Sequence, residues 1–270
     1  MCRTIFIFIF AVQAATAGSR EFGARAKGIG SAFTAISDDL SAPAFNVAGL
    51  ASLPRPEILC FISPREFGVP GLAFASAGAG VPTRIGTVAC TASRYGNDLY
   101  HELAVDISYA RIISGLSVGC TIRSTALTIA RYGSVGSIGV DIGVLASPVK
   151  SLRWALVAAD LNAPAIGRTG EKIPGTVTAA VAWIPAQGLV VDADLQKEGN
   201  EDPSVRLGFE YTVGGVLALR AGFSGVPELF SGGIGLRAGS ITLDYAVTVH
   251  DVLGPTQQAS VSISWGGSDD

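Results

Sequence analysis

The sequence predicts an all-β protein, a transmembrane antiparallel β-barrel of about 14 strands. Three observations predict it. The first is composition. Of 270 residues, 49% are hydrophobic, only 15% are charged, and 34 are glycine. Mean hydropathy is +0.44. Beyond the first dozen residues no stretch approaches the ~18 to 20 unbroken apolar residues of a membrane helix. The second is alternation. Leu103, Val105, Ile107 and Tyr109 are separated by Ala104, Asp106 and Ser108. Val205, Leu207, Phe209 and Tyr211 are separated by Arg206, Gly208 and Glu210. Ile241, Leu243, Tyr245 and Val247 follow the same rule, as do Ala259, Val261, Ile263 and Trp265. Successive side chains of a strand face opposite sides, so each segment has one apolar face and one small or polar face. The third is length. These segments run about 9 to 11 residues, which a tilted strand needs to cross the hydrocarbon layer.

Taken in order, the strands are placed near 56–63, 71–80, 83–94, 99–110, 114–131, 136–147 and 151–161. The second half follows near 175–184, 187–196, 204–213, 215–223, 229–238, 240–249 and 257–266. The odd-numbered connections read as longer, as at Arg65 to Pro70, Asn162 to Pro174, Lys197 to Pro203, Ser224 to Glu228 and Asp251 to Thr256. The even-numbered ones read as tight, for example Val81-Pro82, Pro148-Val149-Lys150, Gly214 and Gly239. Outer-membrane barrels show this rhythm, and closure satisfies every backbone group where no water is available. Trp154, Trp183, Trp265, Tyr109, Tyr211 and Tyr245 fall near strand ends or on apolar faces, as interfacial girdles do.

The ends of the chain read differently. Residues 1–17 have the form of a signal peptide: Arg3, an apolar run from Ile5 to Val12, then Ala15-Thr16-Ala17. Residues 18–55 do not alternate, 56–266 carry the strands, and 267–270 form a short tail. Cys60, Cys90 and Cys120 are about 30 residues apart with no paired spacing, which argues for small wall residues and against a metal site. Gly28-Ile29-Gly30 follows no strand and lacks a third glycine, so it is not read as a phosphate loop. A brief helix is expected over Ser31 to Asp39.

Residues 18–55 also carry a resemblance. The run is Ala24-Arg25-Ala26-Lys27-Gly28-Ile29-Gly30-Ser31-Ala32-Phe33-Thr34-Ala35-Ile36-Ser37-Asp38-Asp39-Leu40-Ser41-Ala42, then Phe45-Asn46-Val47-Ala48-Gly49-Leu50-Ala51. It resembles the mature N-terminus of the FadL-like outer-membrane transport proteins, including the PorV-like branch. Leu219-Arg220-Ala221-Gly222-Phe223, Gly235-Leu236-Arg237 and Leu243-Asp244-Tyr245-Ala246 resemble the family's C-terminal strands. The resemblance implies that residues 18–55 fold into the lumen as a plug, or hatch. Gly28, Gly30, Phe33, Asp38, Asp39, Asn46, Val47 and Ala48 are then its candidate residues. Asn46-Val47-Ala48 stands where the family has Asn-Pro-Ala, with valine in place of proline.

An apolar face turned to lipid leaves the charges for the lumen. The candidates are Asp106, Asp141, Arg153, Asp192, Asp194, Arg206, Glu210, Arg220, Arg237 and Asp244, with Arg206, Arg220 and Arg237 expected to face inward. Both signs occur on nearby strands, and buried charge requires partners. A net charge of −3 argues against a nucleic-acid partner. The chain has two histidines, His101 and His250, and no nucleophile elbow, so no enzyme, cofactor or metal is expected. His101-Glu102 reads as surface near a loop. The resemblance implies a cell outer-membrane protein embedded in lipid. It points to passive uptake of small hydrophobic molecules gated by the plug. The alternative it leaves open is a PorV-like interaction or shuttle protein for secreted proteins.

Overall fold

The computed structural model describes residues 21–166 and 171–266. The expected signal peptide and the tail 267–270 lie outside the described residues. Fourteen strands close into one antiparallel barrel, β1 pairing with both β2 and β16. They are β1 (Glu57–Ser63), β2 (Ala73–Thr83), β3 (Gly86–Gly96), β4 (Tyr100–Ile113), β5 (Leu116–Ile129), β6 (Gly133–Val149) and β7 (Leu152–Ala159). After a short hairpin, β8 (Ala165–Ile166) and β9 (Glu171–Lys172), come β10 (Thr176–Ala186), β11 (Leu189–Glu198) and β12 (Ser204–Val213). The last are β13 (Leu217–Gly225), β14 (Glu228–Ala238), β15 (Ile241–His250) and β16 (Gly254–Ser264). No described helix is long and apolar enough to cross a membrane.

The alternation in the sequence becomes an inside and an outside. On β4 Val105 and Ile107 are 44% and 53% exposed on the outer wall, while Asp106 between them is 6% exposed. The same split runs through β12, where Leu207 and Phe209 face out and Glu210 is buried. The outer wall is thus almost continuously apolar, which is stable against lipid and not against water. Cys60, Cys90 and Cys120 are free and exposed.

Three of the connections read as long are shorter than the sequence suggested, and two, 64–72 and 160–175, are slightly longer. Beyond 64–72, 160–175 and 199–203, both ends of the barrel are made of tight turns. Ser224 to Glu228 contracts because β13 and β14 pair as far as Gly225 with Glu228. Asp251 to Thr256 contracts because β16 begins at Gly254, opposite His250. Each ladder extends until a turn geometry stops it. We define the end where β1 enters and β16 leaves as the near end, and the opposite one as the far end.

Residues 21–55 lie inside the wall. Their polar contacts reach four separate sides of the barrel: Asn46 Nδ2 donates to the Val144 carbonyl of β6, Thr34 Oγ1 donates to Asp194 of β11, Arg25 donates to Glu210 of β12, and the Ala24 amide donates to Ser260 Oγ of β16. Phe22, Phe33, Leu40, Val47 and Leu50 are buried there. The helix is α1 (Ala24–Gly28), and the expected helix over Ser31 to Asp39 is absent. The chain turns instead at Gly30 and Ser31, both with positive φ, and positive φ interrupts a right-handed helix. Glu102 is likewise buried rather than on the surface, receiving the Tyr100 hydroxyl on the inner face.

Candidate functional site

The lumen is the candidate site, and two charge ladders on its wall organise it. On one side Arg123 of β5 sits between Asp106 of β4, 2.9 Å away, and Asp141 of β6, 3.0 Å away. On the other, Arg220 of β13 pairs with Glu210 of β12 and Asp244 of β15, both at 2.6 Å. Asp106 faces Arg123 and Glu210 faces Arg220 across neighbouring strands, whereas Arg123 reaches Asp141 diagonally on β6 and Arg220 reaches Asp244 across the glycines of β14. Each guanidinium is deeply buried and flanked by two carboxylates, the pairing that buried charge needs.

The N-terminal segment joins the second ladder through Arg25. Its Nε and Nη2 both reach Glu210, each at 2.9 Å, and its Nη1 reaches Asp38 at 2.6 Å and Asp39 at 3.3 Å. The same guanidinium lies over the Phe33 ring, 5.2 Å from its centre. Burial opposes the Arg25 charge, but Asp38, Glu210 and Asp39 outweigh it and hold the side chain firmly protonated. Burial pushes Asp39 upward against the pull of Arg25, and Asp38 adds to the push.

A second fastening lies nearer the far end. Glu21 receives Arg206 of β12 at 2.6 Å and Lys27 at 2.8 Å. Burial raises the Glu21 carboxyl, yet the two cations overcome that and hold it at about 2. Arg153 of β7 stands 3.7 Å from Asp38. Asn46 caps the turn Val47–Ser52: its Oδ1 accepts the Ala48 amide, while Nδ2 donates to the carbonyls of Thr34 and Val144. Val47 occupies the first position of that turn, where proline also fits. Its side chain is buried against Leu50 and the neighbouring apolar cluster.

Gly28 and Gly30 set how closely the segment meets the wall. A Cβ on Gly28 would fall 3.2 Å from the Gly233 Cα, and a Cβ on Gly30 would fall 2.5 Å from the Phe223 nitrogen. The remaining predicted residues sort as follows. Asp106, Asp141, Asp192, Asp194, Glu210, Arg220 and Asp244 are buried inward. Arg206 and Arg153 reach the segment from the wall. Arg237 is the correction: it shares inward parity with Gly235 but lies one residue from the end of β14, so it is exposed at the near rim. Reading the strands missed Arg123, although inward alternation through Thr121, Arg123 and Thr125 marks it. It also assigned no role to Glu21, Arg25 or Lys27, because ion pairing across a lumen has no local signature.

Asp192 and Asp194 sit two residues apart on one inner face. Thr34 satisfies one oxygen of Asp194 through its hydroxyl, at 2.5 Å, and its amide, at 3.3 Å. Among the described residues neither oxygen of Asp192 has a hydrogen bond of good geometry, the Ala35 and Ala193 amides being its nearest donors. Two carboxylates so placed oppose each other's charge. Asp192→Asn is therefore expected to raise the thermal midpoint of the barrel in detergent by several degrees. A lowered midpoint would show that the Asp192 charge is supporting the fold.

Beside the segment remains a small open cavity of about 70 Å³. Phe45, Val47 and Val157 line one side, and Glu21, Arg123 and Arg206 line another. Ile173 and Pro174, from the connection 160–175, border it toward the far end. Among the described residues no group of three metal-ligating side chains occurs. His250 Nδ1 accepts the amides of Val252 and Leu253, which fixes a far-end turn.

No family model matches the chain. No curated protein sequence matches it either. Solved structures do. The CymD monoaromatic hydrocarbon channel aligns with a TM-score of 0.69 at 12% identity, covering 92% of this chain and 99% of that one. The Pseudomonas putida toluene transporter TodX aligns at 0.64 and 11%, covering 89% and 96%. A Pseudomonas aeruginosa FadL homologue aligns at 0.59 and 12%, covering 88% and 96%. At these identities the likeness is one of fold, shared over most of the length of each chain.

Proposed function

We propose that the protein is an outer-membrane channel for passive uptake of small hydrophobic molecules, with residues 21–55 as its gate. The observation that carries this reading is how the segment is held. Its N-terminal end is fastened to β12 by ion pairs, Arg25 to Glu210 and Glu21 to Arg206, while a cavity lies beside Pro43, Phe45 and Val47. Part of the seat is thus ion pairing and not apolar contact alone, and a pair that keeps access to water, as Arg25 does at 19% exposure, can be remade with the segment in a shifted position. The outer wall supports membrane residence, and the hydrocarbon and toluene channels of the same fold support the substrate class.

A reversible lock tests it. The Ala24 amide lies 3.3 Å from Ser260 Oγ, so cysteines are placed at these two neighbouring positions, and the closing of the bond is scored by thiol titration before uptake is measured. Ala24→Cys with Ser260→Cys is made in a background where Cys60, Cys90 and Cys120 are alanine. Oxidised vesicles are expected to lose toluene uptake, and reduction is expected to restore it. Equal uptake in both states would overturn gating by the segment and would leave the shuttle reading standing.

A further inference from the structure

Among the described residues, exposed charge at the near end has one sign. Arg84 in the β2–β3 turn, Arg111 near the end of β4, Lys150 in the β6–β7 turn and Arg237 on β14 are all exposed there. The carboxylate at this level among the described residues, Glu57, is half-buried and accepts the Leu40 amide. The far rim mixes signs, with Arg65, Arg94 and Arg131 exposed alongside Asp98, Glu201 and Asp251.

Three of the four cations form an arc. In barrel order β2 to β7 are consecutive neighbours, so Arg84, Arg111 and Lys150 follow one another along the rim. The other near turns, 187–188, 214–216 and 239–240, carry no charge. A belt of aromatic side chains lies just inside the rim. Trp154, Trp183, Tyr211 and Trp265 are exposed on the outer wall. Tyr109 donates its hydroxyl to the Ile85 carbonyl at 2.6 Å, tying β4 to the turn that carries Arg84. Aromatic belts sit at the level of the headgroups, and cations next to them meet phosphate.

We propose that Arg84, Arg111 and Lys150, backed by Tyr109 and Trp154, form a binding surface for anionic phospholipid headgroups in the near-end leaflet. Charge complementarity and continuity with the apolar outer wall carry the assignment. The surface also orients the barrel, with the tight-turned near end toward the phospholipid-rich leaflet. It is independent of what crosses the lumen.

The chain supplies its own reporters, because its three tryptophans, Trp154, Trp183 and Trp265, all lie at this end. The protein is reconstituted in phosphatidylcholine vesicles containing equal fractions of brominated phosphatidylglycerol or brominated phosphatidylcholine. Brominated phosphatidylglycerol is expected to quench more strongly, and added salt to shrink the excess. Arg84→Gln/Arg111→Gln/Lys150→Gln is expected to abolish the excess. Lys150→Gln alone should weaken the preference about five-fold, the scale for one cation at an anionic surface, and it keeps the test open if the triple variant does not fold. The far-rim variant Arg94→Gln/Lys197→Gln should leave the excess unchanged. Equal quenching by both lipids overturns the proposal. So does an excess that survives the near-end substitutions or falls equally with the far-rim ones.

Discussion

Gly222→Val is expected to unseat the N-terminal segment and leave the barrel closed. A Cβ at position 222 would lie 2.0 Å from the Ile29 carbonyl carbon and 2.1 Å from the Gly30 nitrogen. Both obstacles are backbone, so no side-chain rotation relieves them. Overpacking of an adaptable core costs about 1 to 3 kcal/mol, and a rigid backbone obstacle exceeds that range. The strand itself accepts the change: Gly222 has no positive φ and pairs regularly with Gly208 and Ser231. Valine also favours strands. Limited proteolysis in detergent should cut within residues 21–55 of the variant and spare the wild type. Single-channel recording should show a steady conductance that the wild type lacks. Gly232→Val is the control, since Gly232 is exposed with the Arg220 carbonyl oxygen 3.8 Å from its added Cβ. Protection equal to wild type in Gly222→Val would refute the close seating.

Arg25→Gln is expected to be the most damaging single change to the segment's charge network. It removes a two-point contact to Glu210 and the ion pair that Asp39 makes, at 3.3 Å. Glu210 keeps Arg220, while Asp38 keeps a long contact to Arg153. Breaking a fully buried pair costs about 3 to 5 kcal/mol. Arg25 retains 19% side-chain exposure, so the lower end, about 3 kcal/mol, is the expected loss in urea unfolding. Arg25→Lys should recover only part of it, because an ammonium cannot make the forked contact. Arg25→Gln/Glu210→Gln should be less damaging than the sum of the single changes, since the pair then leaves no orphaned partner. A loss under about 0.5 kcal/mol for Arg25→Gln, the range of neutral surface changes, would refute the latch.

How much was legible differs between wall and lumen. Each of the fourteen barrel strands overlaps a segment placed by alternation, because facing in or out is a property of neighbouring residues in one chain. Leu103, Val105 and Ile107 announce their face through Asp106 between them. Turn lengths were less legible, since whether Gly225 pairs with Glu228 depends on two strands together. The 31–39 stretch misled for a related reason. Its small residues suit a helix locally, but the positive φ at Gly30 and Ser31 follows from close approach to the wall at Phe223.

By itself the sequence determined that this chain makes a wall of about 14 strands with an apolar outer face, because period-2 patterning acts residue by residue. The tertiary structure alone decided which charges meet. Arg25 and Glu210 are 185 positions apart, as are no two members of any local motif. Arg123 joins Asp106 and Asp141 only once three strands are in register. Arg237 keeps inward parity and yet ends at the rim, because height in the barrel depends on where its strand stops. Facing is a local consequence of the pleat, whereas height and partnership depend on how all the strands stagger when the sheet closes.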